Sequence, residues 1–238
     1  MTTAPGHNAD HVQVHTSEFD SGQTIFVQGD PGDRVYLIVE GTVKINFRGS
    51  GGRSSVRAII GPTDIFGELA VFDPGPRACT ATAITDVRAV WMDRATLRAW
   101  MAEQPAIAEQ LLRALTRRLR HSERQLVEMV SSDVTARVAR QLLVLGKRFG
   151  TPEGDALRLA HELNQDEIAQ LVGADRVSVN KALRNFTTRG WILLDGKTVV
   201  IVNPKALARR ADTGDSSGPD PNRRRRPLRA TPDVRLGA

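Results

Sequence analysis

The sequence predicts an α+β chain in which a small β-sandwich or barrel is followed by a long helix and a C-terminal winged helix-turn-helix. Three observations carry this expectation. Residues 21–93 hold short β-rich runs separated by glycine-bearing turns, residues 107–131 keep an apolar repeat of coiled-coil spacing, and residues 163–202 fit a helix-turn-helix and hairpin position by position. A length of 238 residues with 40% hydrophobic content suits two modest domains.

Residues 1–16 are polar and without period, and read as a flexible lead-in. A β-domain is expected over 17–105, with strands near 24–27, 34–39, 42–47 and 56–60 and a further pair within 81–92 broken near Thr85-Asp86. The turns Gly29-Asp30-Pro31-Gly32-Asp33 and Glu40-Gly41 punctuate these runs, as a sandwich or barrel of short strands requires.

Residues 106–132 read as one helix. Ala108, Leu112, Leu115, Leu119, Ser122, Leu126 and Met129 recur at steps of four and three, so they form one narrow seam that expects a partner helix and hence a homodimer. Arg113, Arg117, Arg118, Arg120, Glu123 and Arg124 lie off the seam as a solvated, mostly basic flank. Packing of the helix on its own domain is the alternative. Ser122 interrupts the leucines, either as a tolerated small residue or as a hydroxyl that touches something entering there.

The DNA-binding unit is expected over 133–210, opening with a helix from Asp133 to Phe149 and a loop over 150–155. Asn164 and Glu167 make a capping pair, and Ile168, Leu171 and Val172 give the next helix its buried stripe. Gly173 sits at the bend. Asp175 caps a second helix that buries Val179, Ala182, Leu183 and Phe186. Its polar face carries Arg176, Asn180 and Arg184, with Val177 and Lys181 beside them. Arginine pairs with guanine O6 and N7, asparagine with adenine, and lysine with a base or a phosphate, so this face reads double-stranded DNA. The turn Asp195-Gly196 closes a hairpin whose tip, Lys197 and Thr198, is placed to touch phosphate. Residues 211–238, with Arg223-Arg224-Arg225-Arg226, read as a disordered Arg-rich tail.

Bulk properties exclude several classes. A net charge of +6 favours an anionic partner. No apolar run reaches the length of a membrane span and no secretory leader is apparent, so a cytoplasmic protein without membrane contact is expected. The single cysteine, Cys79, and five histidines without ligand spacing argue against a metal site. No nucleophile with an assigned base and no Walker-type loop suggests catalysis, so no catalytic residue is assigned.

Within the β-rich half stand Phe66-Gly67-Glu68-Leu69 and Phe72-Asp73-Pro74-Gly75-Pro76-Arg77-Ala78-Cys79-Thr80. Backbone N–H groups around Gly67 and the guanidinium of Arg77 can hold a phosphate, while Glu68 can accept from sugar hydroxyls. An ordinary Glu68–Arg77 ion pair closing a loop accounts for the same residues. Cys79 beside Arg77 is either a stabilised thiolate and redox sensor or a small buried structural residue.

Taken in order, β-domain, Gly-Glu-Leu cassette with Pro-Arg, seam helix and winged helix, the chain resembles the Crp/Fnr family of bacterial regulators over residues 17–210. It is most similar to the actinobacterial cAMP receptor branch, through the cassette, Asp133-Val134-Thr135 and Glu167-Ile168-Ala169-Gln170-Leu171-Val172-Gly173-Ala174. The resemblance implies a cyclic-nucleotide-binding domain of the double-stranded β-helix or jelly-roll kind, cAMP as allosteric ligand, a homodimer, a pseudo-palindromic operator, and RNA polymerase as a partner. It implies a ligand set of Gly67, Glu68, Leu69, Arg77, Ala78 and Cys79, with Glu68 on the ribose 2′-hydroxyl and Arg77 on the cyclic phosphate. It further implies that Ser122 reaches the base, with Glu123 of the partner subunit nearby.

Two departures stand out. Ala78 lies where bacterial cAMP receptors carry Ser or Thr, although Pro76-Arg77-Ala78 and Thr80 resemble the sites of kinase regulatory subunits and lean to cAMP over cGMP. Val177 lies where the family often has Glu, which predicts a shifted preference at one operator base pair. Two alternatives stay open: a constitutive or differently triggered regulator with a relic pocket, and a cyclic-nucleotide-dependent regulatory protein or enzyme that does not act on DNA.

Overall fold

The computed structural model describes residues 14–49, 52, 54–160, 163–196 and 198–213. Lys197 and the Arg-rich run of the tail lie outside them.

Eight strands form two four-stranded antiparallel sheets. The first has the order β1 (His15–Phe19), β8 (Val87–Asp93), β3 (Arg34–Glu40), β6 (Ile65–Phe66). The second has the order β2 (Thr24–Phe26), β7 (Thr80–Ala83), β4 (Val43–Arg48), β5 (Ser54–Ile60). This nesting of early strands beside late ones is the jelly roll. Alternating residues of both sheets, among them Ile38, Val43, Ile45, Ala81 and Ala89, face each other in a closed core. Tyr36 and Phe66 stack inside it with ring centroids 5.0 Å apart, and Phe26 lies 5.9 Å from Phe66. Strand β1 begins at His15, inside the stretch that reads as lead-in. His15 stacks on Trp91 at 4.3 Å and Ser17 accepts from Trp91 Nε1 at 3.0 Å, so cross-strand pairing orders residues that lack an apolar run of their own.

After α1 (Leu69–Phe72) and α2 (Arg94–Glu103), helix α3 runs from Pro105 to Ser131 without a buried side chain. Leu112, Leu119 and Leu126 are 64, 60 and 58% exposed, whereas Leu115 turns half-buried toward the β-domain. The seam is thus split between two directions, with its most exposed leucines at seven-residue intervals.

The C-terminal half contains α4 (Val134–Phe149), β9 (Thr151–Glu153), β10 (Ala156–Ala160), α5 (Gln165–Val172), α6 (Arg176–Thr188), β11 (Ile192–Asp195), β12 (Thr198–Ile201) and α7 (Pro204–Asp212). Asp133, Asn164 and Asp175 cap α4, α5 and α6, and Asn164 with Glu167 forms the full capping box. Gly173 takes φ of +64° at the bend. The loop expected over 150–155 is largely strand β9 and a turn at Gly154, because β9 adds itself through β10 to the wing sheet β11-β12-β10-β9.

Two contact regions fix the halves together. Arg137 of α4 donates to the carbonyls of Ser132 at 2.7 Å, Val172 at 2.9 Å, Gly173 at 3.2 Å and Met129 at 3.5 Å, tying the ends of α3 and α5 to one guanidinium. Helix α5 packs against β5, which lies at the edge of its sheet. Gln170 Oε1 accepts from Val56 N at 2.8 Å, Glu167 pairs with Lys44, and Arg148 pairs with Asp64. Val56 and Ile59 belong to the same apolar cluster as Ile168 and Leu171.

Candidate functional site

Arg77 is held from its backbone outward. Its N–H donates to Asp30 O at 2.8 Å and its carbonyl accepts from Gly29 N at 2.9 Å, so the turn read at 29–33 straps the residue in place. Its Nη1 donates to Arg34 O at 2.8 Å and Gly67 O at 2.9 Å, and the guanidinium lies 4.3 Å over the Phe26 ring. Only 5% of the residue is exposed and Nε has no hydrogen-bond partner. Burial lowers its pKa, opposed by Tyr36 and Asp33, yet an arginine stays charged at neutral pH. No carboxylate pairs with it among the described residues.

Gly67 has φ of +78°, and a Cβ there would meet Arg77 Nη1 at 2.8 Å and Arg34 O at 2.9 Å. Glycine is therefore what lets the cassette backbone sit against the guanidinium. Glu68 is 3% exposed, and its Oε1 accepts from Arg118 Nη1 at 2.8 Å. The Glu68–Arg77 pair that would have explained the motif blandly is not formed. Arg118, read from sequence as part of a solvated flank, is instead the residue of α3 that enters the site.

Gly67, Glu68, Leu69, Arg77, Ala78, Cys79 and Arg118 line a cavity of about 10 Å³ floored by Phe26, Ile45 and Phe66. That space suits about one water. Arg118, bonded to Glu68, closes the α3 side of this space. Leu69 and Ala78 are exposed at its rim, whereas Cys79 is buried. Burial raises the Cys79 thiol pKa above its ordinary value, with Arg118 and Arg77 only partly offsetting it, so the structural reading of this cysteine is favoured over a sensor. Ser122 is half-buried one turn beyond Arg118 and does not line the cavity; Glu123 is exposed.

On α6 the structure separates the expected reading residues. Arg176, Val177, Lys181 and Arg184 are exposed, with Val177 at 78%. Arg176 is tethered to Asp166 at 3.2 Å. Asn180 is half-buried with Oδ1 enclosed and unpaired, so it lies at the margin of the face. Thr198 is half-buried at the start of β12. Among the described residues no helix is long and apolar enough to cross a membrane, and no group of three or more His, Cys, Asp or Glu residues is placed to hold a metal ion.

Residues 16–104 match the cyclic nucleotide-binding domain family and residues 136–210 match the Crp-like helix-turn-helix domain family. The chain is 56% identical over 199 residues to the CRP-like cAMP-activated global transcriptional regulator of Mycobacterium tuberculosis, covering 84% of this chain and 89% of that protein. It is 30% identical over 183 residues to the cyclic AMP receptor protein of Thermus thermophilus, covering 77% of this chain and 82% of that one. Among solved structures, a CRP/FNR family transcriptional regulator, also from Thermus thermophilus, superposes with a TM-score of 0.72 at 26% identity, covering 84% of this chain and all of the other.

Proposed function

Since the chain belongs to the Crp/Fnr family of regulators, we propose that it is a homodimeric, sequence-specific DNA-binding transcription regulator whose affinity for DNA is set by cAMP. The observation that carries the ligand assignment is Arg77: a buried guanidinium with no carboxylate partner among the described residues and an orphaned Nε, against which the backbone of Gly67 can pack only because it has no side chain. An unpaired buried cation is unfavourable, and an anion that accepts from it relieves that penalty. The cyclic phosphate fits this donor, and Glu68 supplies the acceptor for a ribose hydroxyl once Arg118 yields.

The exposed leucines of α3 support a helix-to-helix dimer, which would carry Ser122 of one protomer toward the base and bring the partner near it. In such a dimer the reading faces of two α6 helices, about 34 Å apart, match half-sites one turn apart on a pseudo-palindrome. cAMP then acts through its differential affinity for two arrangements of the halves. The role is regulatory, carried out in the cytoplasm without catalysis, with RNA polymerase as the downstream partner. A DNA-binding titration on a pseudo-palindromic operator with and without cAMP tests this reading: tighter binding with cAMP is expected, and equal binding in both arms favours a constitutive regulator with a relic pocket.

A further inference from the structure

A cleft of about 420 Å³ opens between the β-domain, α3 and α4. Its size is that of small-molecule sites, which combine apolar walls with a few polar groups. The walls here include Ile60, Ile65, Phe72, Leu111, Leu115 and Val144. Four arginines, Arg57, Arg117, Arg118 and Arg148, line it together with two acidic residues, Asp64 and Glu68. Arg118 is committed to Glu68 and Arg148 to Asp64. Arg57 and Arg117 are left without an anionic partner among the described residues, and His121 stands four residues after Arg117 on the same side of α3. The cleft therefore carries net positive charge over an apolar lining.

Glu68 and Arg118 also line the cavity around Arg77, so this ion pair is the partition between the two spaces. An anion in the cleft competes with Glu68 for Arg118. Drawing Arg118 away opens the nucleotide cavity and frees the ribose acceptor, and by linkage a bound nucleotide strengthens binding in the cleft.

We propose that this cleft is a second ligand site, one that takes a small organic anion with an apolar body, such as an acyl carboxylate, and couples positively to the nucleotide site through Arg118. The coupling rests on the cAMP reading above; the site itself does not. Calorimetry on the full chain with decanoate, kept below its micelle-forming concentration, tests both. Decanol and acetate serve as probes with only the apolar body or only the charge. Decanoate is expected to saturate one site per chain at least tenfold more tightly than either. Arg117→Gln should weaken it tenfold, and Val144→Trp, which fills the cleft from a partly exposed position, should abolish it. Saturating decanoate should tighten cAMP binding threefold or more. Decanoate binding unchanged in both variants, or displaced by cAMP, overturns the site. Unaltered cAMP affinity overturns the coupling. If cAMP does not bind at all while decanoate behaves as expected, the cAMP reading and the coupling fall and the cleft stands.

Discussion

Arg118 Nη1 donates to Glu68 Oε1 at 2.8 Å, and so a residue of the long helix holds the buried carboxylate of the β-domain's ligand cassette. One bond thereby joins the element proposed to make the dimer to the cavity proposed to take cAMP. Glu68→Gln keeps the shape but removes the charge that both Arg118 and a ribose hydroxyl would meet. A hydrogen bond to a charged group contributes about 1.5–3 kcal/mol, so cAMP affinity measured by calorimetry should fall roughly ten- to hundredfold. An affinity within twofold of the parent would sink the assignment of Glu68.

Gly67→Ala should impair both stability and ligand binding. Left-handed backbone costs a non-glycine residue about 1–2 kcal/mol, and here the new Cβ also meets Arg77 Nη1 at 2.8 Å. Gly22→Ala isolates the backbone share, since Gly22 has φ of +85° with nothing within 4 Å. Urea midpoints should drop for both variants, further for Gly67→Ala, and cAMP binding should be lost only in that one.

Leu119→Glu should dissociate the dimer. Leu119 is 60% exposed and stands between Leu112 and Leu126 in the exposed stripe, so a carboxylate there would face its own copy across a two-fold interface. Sedimentation should report a monomer, and operator affinity should fall by at least a hundredfold. A variant that still sediments as a dimer removes α3 from the interface.

On α6, the proposed reading helix, Arg184→Ala should cost about 1–3 kcal/mol of operator affinity and relax one base pair, while Asn180→Ala should change specificity little because its carbonyl oxygen is enclosed. Val177→Glu should shift preference toward a cytosine at a single position. Binding measured against a panel of singly substituted operators checks all three, and a larger specificity change in Asn180→Ala than in Arg184→Ala contradicts the placement.

Acid should unfold the C-terminal half through its helix caps. Asp175 is held below the ordinary carboxylate pKa by hydrogen bonds from the Ser178 side chain and N–H. For Asp133, burial acts to raise the value, but hydrogen bonds from Arg210 and the Ala136 N–H outweigh it. Folded pKa values below the unfolded ones mean stability that is present above about pH 4 and lost as pH falls through the folded pKa. Thermal melts from pH 6 to 3 should be level at first and then decline, and Asp133→Ala should flatten that decline. A decline of equal steepness in the variant excludes Asp133 as a contributor.

The elements that were legible in sequence are those whose signals are local. The Asn164–Glu167 capping box and the Gly173 bend each act within a few residues and appear where the spacing puts them, whereas the wing hairpin closes one residue later than Asp195-Gly196, with Asp195 still in the ladder opposite Thr198. Strand β9 was hidden because Thr151-Pro152-Glu153-Gly154-Asp155 carries turn residues, and only the edge of the wing sheet makes room for Pro152. Arg118 was hidden because its partner lies 50 residues away. Its one local sign was its place a turn before Ser122. Asn180 keeps the four-residue spacing of Arg176 and Arg184, yet it is half-buried with its Oδ1 enclosed, which the spacing alone does not announce.

The grip of Arg137 on four carbonyls has a mechanical corollary. The joint between α3 and α4 is where a chain tracing would put the pivot, yet one planar fork spans it and fastens both the end of α3 and the bend of the helix-turn-helix. Opening that joint would strand several acceptors at once, so any displacement that keeps these bonds carries α3 and the helix-turn-helix together. The other seat, at the β5 edge, is packed as well: Gln170 and Lys44 bond across it, and Val56 and Ile59 share an apolar cluster with Ile168 and Leu171. Bending between α3 and α4 would therefore have to break the Arg137 fork, and rotation about the β5 edge would have to open that apolar packing.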